Sequence, residues 1–175
     1  MIIIKILKFI LLGIILIIIV SYFIIFNNNK VEVKLVDCID GDTARFIVNG
    51  KEEKVRFLGI DTPESTNYIE DYGVDASNYT CNMLKDANNI FIEYDLNSEK
   101  YDKYIRLLAW VFVDNNNLRE LLLSKGYAEV KYIYGNYKYI NNLCNTQINA
   151  YNSRIGIWLN NYSDYQNNYC AKNNY

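Results

Sequence analysis

Histidine is absent from all 175 residues, and proline occurs once, as Pro63. Without an imidazole the chain has no ordinary general base for neutral pH, lacks the commonest zinc ligand, and cannot build a Ser-His or Cys-His nucleophile pair. Hydrolytic chemistry is left to carboxylates, arginines, lysines, tyrosines and a metal held by oxygen. A basic surplus is missing as well. The formal charge is −2, and setting aside Lys5 and Lys8 leaves 16 basic against 20 acidic residues, near −4, in the remainder. Neutralised phosphates release counterions and supply most non-specific affinity for nucleic acid, so this balance argues against tight storage on DNA. It leaves room for an enzyme that engages phosphate briefly. Cysteine is sparse and late: Cys38, Cys81, Cys144 and Cys170 match no zinc spacing. An even count permits disulfides in three pairings, one of which would staple the chain's tail to its last helix.

Apolar length is abundant at the N-terminus. Phe9 to Phe26 runs 18 residues without a charge, close to the ~20 that cross a bilayer as a helix. The sequence predicts a transmembrane helix within residues 1–26. Lys5, Lys8 and the initiating amine would keep the N-terminus in the cytoplasm and send the rest outside, an asymmetry weakened by Lys30 and Lys34. A cleaved secretory signal is the alternative, but no small-x-small site follows the core. Residues 27–30 read as a linker, 31–158 as one globular domain, expected monomeric, and 159–175 as a polar tail.

Within that domain, residues 31–36 alternate apolar and polar like a half-buried strand. Further strands are predicted over 44–48, 53–60, 89–94 and 107–113, with Asn49-Gly50 as a hairpin turn. Helical spacing marks 75–87, 118–125, closed by Gly126, and 139–154. The class is α+β: a five-stranded barrel of OB type with three helices, preceded by the transmembrane helix.

Chemistry concentrates between residues 40 and 64. Asp40-Gly41-Asp42-Thr43 is on its own a plain turn, and Asp61-Thr62-Pro63-Glu64 a strand end. If the strands on either side of Asn49-Gly50 pair, Asp42 and Asp61 fall at the same end of the sheet. Two carboxylates so placed repel unless a cation joins them, and oxygen ligands select Ca²⁺ or Mg²⁺ over zinc. Arg56 lies on the strand between them and Arg106 precedes the apolar run 107–111. Each alone reads as a strand residue; together they suit a phosphodiester, whose two oxygens the planar fork matches.

These stretches, with Tyr72 to Ser77, Asp102 to Arg106, Leu121 to Tyr134 and Gly156-Ile157-Trp158, follow one another as in the thermonuclease (staphylococcal-nuclease-like) family, which the chain resembles over about residues 31–158. The resemblance implies a Ca²⁺-dependent nuclease acting on DNA or RNA, leaving 3′-phosphates. It implies that Asp42, Asp61 and the Thr62 carbonyl hold the calcium and that Glu64 is the base or positions the attacking water. Arg56 and Arg106 would bind and stabilise the phosphate. Lys103, Tyr104, Tyr132 and Tyr134 match substrate-contacting positions. Two departures stand out: residues 65–71 are short and carry Glu70 and Asp71 where the family has lysines, and Ile105 replaces a glycine. A binding module on the same fold, or a structural envelope protein, would leave the set Asp42, Arg56, Asp61, Glu64 and Arg106 without a chemical reason.

Overall fold

The computed structural model describes residues 10–21, 30–66, 68–159, 162–173 and 175. It divides into two units, residues 1–30 and 31–175. In the first, residues 10–21 are helical (α1). The transmembrane helix expected over 1–26 is not found: among the described residues no helix is long and apolar enough to cross a membrane. Twelve residues rising about 1.5 Å each reach about 18 Å, well short of ~30 Å of hydrocarbon. Residues 1–9 and 22–26 lie outside the described residues.

The second unit is built from the strands β1 (Lys30–Cys38), β2 (Thr43–Val48), β3 (Lys51–Phe57), β4 (Ile60–Asp61), β5 (Ile90–Glu93), β6 (Leu107–Val113), β7 (Asn116–Asn117) and β8 (Glu129–Val130). The helices are α2 (Gly73–Asp86), α3 (Leu118–Ser124), α4 (Ile140–Asn152) and α5 (Tyr169–Lys172). β1, β2 and β3 form an antiparallel meander. Asn49 and Gly50 turn it with φ of 50° and 78°, the paired left-handed residues whose twist suits a tight hairpin. The sheet runs β3-β2-β1-β5-β6, and β6 then pairs in parallel with β3. Five strands thus close into a barrel, which removes the open edges of a flat sheet.

The barrel interior and its helical cover share one core that includes Phe46, Phe57, Ile92, Trp110, Leu122 and Leu143. Full burial of such side chains stabilises by about 1.5–3 kcal/mol each. Arg119 is buried among them. It donates to the carbonyls of Ala109 (3.1 Å) and Val111 (3.3 Å), and its guanidinium lies 4.5 Å from the Trp110 ring centre. Burial pulls its pKa down to about 9, so it stays charged at neutral pH, held at short range by carbonyl dipoles and a ring face.

Two differences from the sequence reading matter for the site. The strand expected over 53–60 breaks at Leu58-Gly59, where Gly59 takes φ 77°, a value that favours glycine. Leaving the barrel there, the chain pairs as β4 with β8, Ile60 opposite Val130 and Asp61 opposite Glu129. The segment 159–175 also carries buried side chains, Tyr165 and Cys170, and the Tyr165 ring stacks 3.9 Å from that of Tyr151 on α4.

The four cysteines pair as Cys38–Cys81 and Cys144–Cys170, with sequence separations of 43 and 26. Closing loops of these lengths removes unfolded-chain entropy equivalent to about 4 and about 3.5 kcal/mol. Replacing Cys144 and Cys170 together by alanine is expected to lower the unfolding free energy by about 3 kcal/mol in a urea titration. An unchanged midpoint would show that this bridge adds nothing to stability.

Candidate active site

Asp42 owes its position to a tight local turn. Ile39 and Asp40 donate their N–H groups to the Thr43 carbonyl (both 3.1 Å), and the Asp40 carboxylate accepts from the Asp42 N–H (3.0 Å). Helix α2 pins this turn from behind: the Thr80 hydroxyl donates to the Gly41 carbonyl (2.6 Å), and Cys81 next to it bridges to Cys38. The β2–β3 register sets Arg56 opposite Thr43. The break at Gly59 then returns Asp61 to the same place.

The result is a compact cluster. One nitrogen of Arg56, Nη2, sits 3.0 Å from Asp42 Oδ2 and 2.9 Å from Asp61 Oδ1. Its other terminal nitrogen donates to the carbonyls of Phe57 (2.9 Å) and Ile60 (2.8 Å), which fixes the fork. Thr62 meets Asp42 through its N–H (3.0 Å) and its hydroxyl (3.3 Å). Asp42 is only 5% exposed, and burial lifts its carboxyl to about 7 although Arg56 pulls the other way. Lys131, to which the sequence reading gave no role, bridges Asp61 and Glu129 at 2.9 Å each. Its pKa is raised despite burial, because both carboxylates accept from it. The signal that would have found it is the β4–β8 pairing, which two-residue strands do not reveal in a sequence.

The remaining candidates share one cleft of about 970 Å³ with Asp42, Arg56 and Asp61: Glu64, Lys103, Tyr104, Arg106, Tyr132 and Tyr134 all line it. Arg106 is oriented by Asp102, which accepts from its Nε at 2.7 Å and from its backbone N–H at 2.9 Å. Ile105, in the place of the expected glycine, adopts φ 60°, a strained value for a branched residue. The turn keeps its left-handed shape and Arg106 keeps its seat. The Tyr104 ring lies 5.0 Å from Lys103 Nζ and 5.4 Å from the Arg106 guanidinium; the Tyr132 ring lies 5.7 Å from Arg56. Glu64 is exposed at the cleft mouth. Its backbone N–H donates to Glu70 Oε2 (2.9 Å), and its carbonyl accepts from the Glu70 N–H (2.9 Å). The acidic residue that departs from the family's lysine-rich loop is therefore the one that holds Glu64. Thr62 reaches the cluster but not the cleft surface. Among the described residues no group of three acidic or cysteine side chains stands close enough to hold a metal by itself.

The raised Asp42 carboxyl carries a pH signature. Its folded pKa of about 7 exceeds the ordinary 3.8, so the folded chain keeps a proton that the unfolded chain has released. Without divalent ions, stability is expected to fall as pH rises between about 4 and 7. Asp42→Asn should flatten that slope in chemical denaturation. An equal slope in both proteins would assign the dependence to other groups.

A closed five-stranded barrel bearing a cleft lined by clustered carboxyl groups and two arginines defines an OB-type protein with one charged cleft. The chain belongs to the family described as staphylococcal nuclease homologue, whose profile matches residues 54–160. It is 39% identical over 137 residues to Endonuclease YncB of Bacillus subtilis, covering 75% of this chain and 64% of that protein. It is 37% identical over 135 residues to the SPbeta prophage-derived endonuclease YokF of the same organism, covering 75% and 45%. It is 33% identical over 137 residues to Thermonuclease of Staphylococcus hyicus, covering 77% and 79%. The matched region thus spans less than two thirds of the two Bacillus relatives.

Proposed function

We propose that the protein is a calcium-dependent nuclease that hydrolyses phosphodiester bonds of DNA or RNA and leaves 3′-phosphates. The observation that carries this reading is the convergence of Asp42, Arg56, Asp61, Glu64 and Arg106 on one cleft. The family, and relatives named as endonucleases, support it. The donor set fits a hard cation: two carboxyl groups from Asp42 and Asp61 meet at a single guanidinium nitrogen, so their oxygens already face one positive centre. Asp42, Asp61 and the Thr62 carbonyl would hold Ca²⁺, whose charge offsets the charge developing on the phosphoryl oxygens.

The chain's own residues supply the rest. Arg106, aligned by Asp102, offers a planar fork to the non-bridging oxygens. Arg56 would turn Nη2 to them once Asp42 and Asp61, which hold that nitrogen here, are taken up by a cation. Both would strengthen their hold as charge builds there. Glu64, in water at the cleft mouth, orients the attacking water in line with the leaving oxygen and takes its proton. Tyr104, Tyr132 and Tyr134 present exposed ring faces on which unstacked bases can lie. Two disulfides are uncommon in reducing compartments, which supports a working place outside the reducing cytoplasm.

Cleavage of a labelled oligonucleotide with calcium or with a chelator, followed by end-group analysis, tests the reading. Cutting that stops on chelation and yields 3′-phosphate ends is the expected result. Binding without cutting in calcium would make this a nucleic-acid-binding module.

The seat of Glu64 gives a more local prediction. A Cβ at Gly73 would collide with the Glu64 carbonyl oxygen. Gly73→Ala is therefore expected to lower kcat by on the order of ten- to a hundredfold through a displaced Glu64, with a smaller change in KM. An unchanged kcat would mean that the backbone of Glu64 has more freedom than its Glu70 contacts imply.

A further inference from the structure

The chain beyond the family match, which ends at residue 160, reaches the cleft through one buried amide. Asn168 has all four hydrogen-bonding positions filled. Its Nδ2 donates to Glu129 Oε2 (3.0 Å) and to the Val130 carbonyl (3.2 Å); its Oδ1 accepts from Gln147 Nε2 (2.6 Å) and from the Cys170 N–H (3.0 Å). Gln147 Oε1 in turn accepts from the Val130 N–H (2.5 Å). Both main-chain groups of Val130, the residue opposite Ile60, are therefore held by side chains from α4 and from the start of α5. The contacts continue without a gap: Glu129 Oε1 to Lys131 Nζ, Lys131 Nζ to Asp61 Oδ2, and Asp61 Oδ1 to Arg56 Nη2, each 2.9 Å.

Asn168 also caps α5 by accepting from the Cys170 N–H. Capping uses only the oxygen, and serine serves equally well there. The amide donors, aimed away from the helix at β8, are surplus to that task. An amide with every position satisfied has one orientation, so what it holds is held rigidly.

We infer that Asn168 is a positioning residue for Asp61: secured by Gln147 and the Cys144–Cys170 bridge, it fixes Glu129 and Val130, and through Lys131 it sets how Asp61 presents its carboxylate to Arg56. The inference rests on the cleft being the nuclease site proposed above. It makes the C-terminal segment part of the working enzyme.

The test uses the full chain, reading the Asp61 carboxyl carbon by NMR at fixed pH and the cleavage kinetics with calcium. Asn168→Ser keeps the cap and removes the two donors. It is expected to displace the Asp61 resonance and lower kcat by about tenfold, with KM within about twofold. Val48→Ala, a core change at the Asn49-Gly50 end of β2, should do neither. With Lys131→Met already in place, adding Asn168→Ser should move the resonance no further, since the connecting contact is gone. If Asn168→Ser does not fold, Glu129→Gln breaks the next contact and should displace the resonance in the same way. An unmoved Asp61 resonance, or the same displacement in the Lys131→Met background, overturns the inference. A parent protein that cuts nothing would overturn the proposed function instead, and the Asp61 resonance alone would still decide the bracing.

Discussion

Glu64→Gln is expected to reduce kcat at least about a hundredfold while leaving oligonucleotide binding within about tenfold, because general-base contributions run to ~10²–10⁴ in rate. That range corresponds to about 3–5 kcal/mol of barrier. Glutamine matches glutamate in size and can still hold a water, but cannot take its proton. The Glu70 contacts go to the backbone of residue 64, not to its carboxylate, so the substitution should leave the loop in place. Glu64 is also exposed, and the unfolding free energy should stay within about 0.5 kcal/mol of the parent. Near-parent turnover would remove Glu64 from the chemical step.

The second large effect belongs to Arg56, where stability and chemistry coincide. One of its nitrogens is shared by Asp42 and Asp61 in a mostly buried cluster. Arg56→Gln removes the cation that the two carboxyl groups share, and the expected loss is about 1–3 kcal/mol. That is below the ~3–5 kcal/mol of a stranded buried charge, because Asp42, already raised to about 7, takes up a proton instead. Asp42→Asn added to Arg56→Gln should recover part of the loss above about pH 7, where the Asp42 carboxyl would otherwise have to hold a proton or an unpaired charge. Arg56→Lys should be milder for stability. It should remain poor for catalysis, since an ammonium cannot fork across two phosphate oxygens. Urea titrations of the single and double variants check the first part and single-turnover rates the second. Equal stability of Arg56→Gln and the parent would mean that the carboxylates do not depend on this arginine.

How much of this was legible in the sequence follows from which contacts are local. The Asn49-Gly50 turn fixes the β2–β3 register, and register alone carries Arg56 to Thr43 and the neighbouring Asp42. Those residues could be placed from pattern. The barrel strands and three of the helices have clear periodicity and were readable for the same reason. Lys131 was not, because its partner Asp61 lies 70 residues away across a pair of two-residue strands. Asn168 was hidden in a stretch that reads as polar tail: its buried neighbours are supplied by α4 and a disulfide, and no periodicity announces either. The apolar N-terminus misled in the opposite direction. Its composition satisfies the length rule for a membrane span, whereas the described helix covers only residues 10–21. The acidic Glu70 shows a further limit: in the sequence it is only a departure from the family's lysines, yet it holds Glu64 by its backbone.

The central claim, that this cleft is where phosphodiester bonds are broken, is tested most directly by a crystal structure with Ca²⁺ and a non-hydrolysable dinucleotide analogue. The account predicts anomalous density for calcium against Asp42 and Asp61, with the analogue's phosphate contacted by Arg56 and Arg106 and Glu64 facing the phosphorus. Calcium bound elsewhere, or a phosphate seated outside the cleft while Arg56 still bridges the two carboxylates, would contradict it.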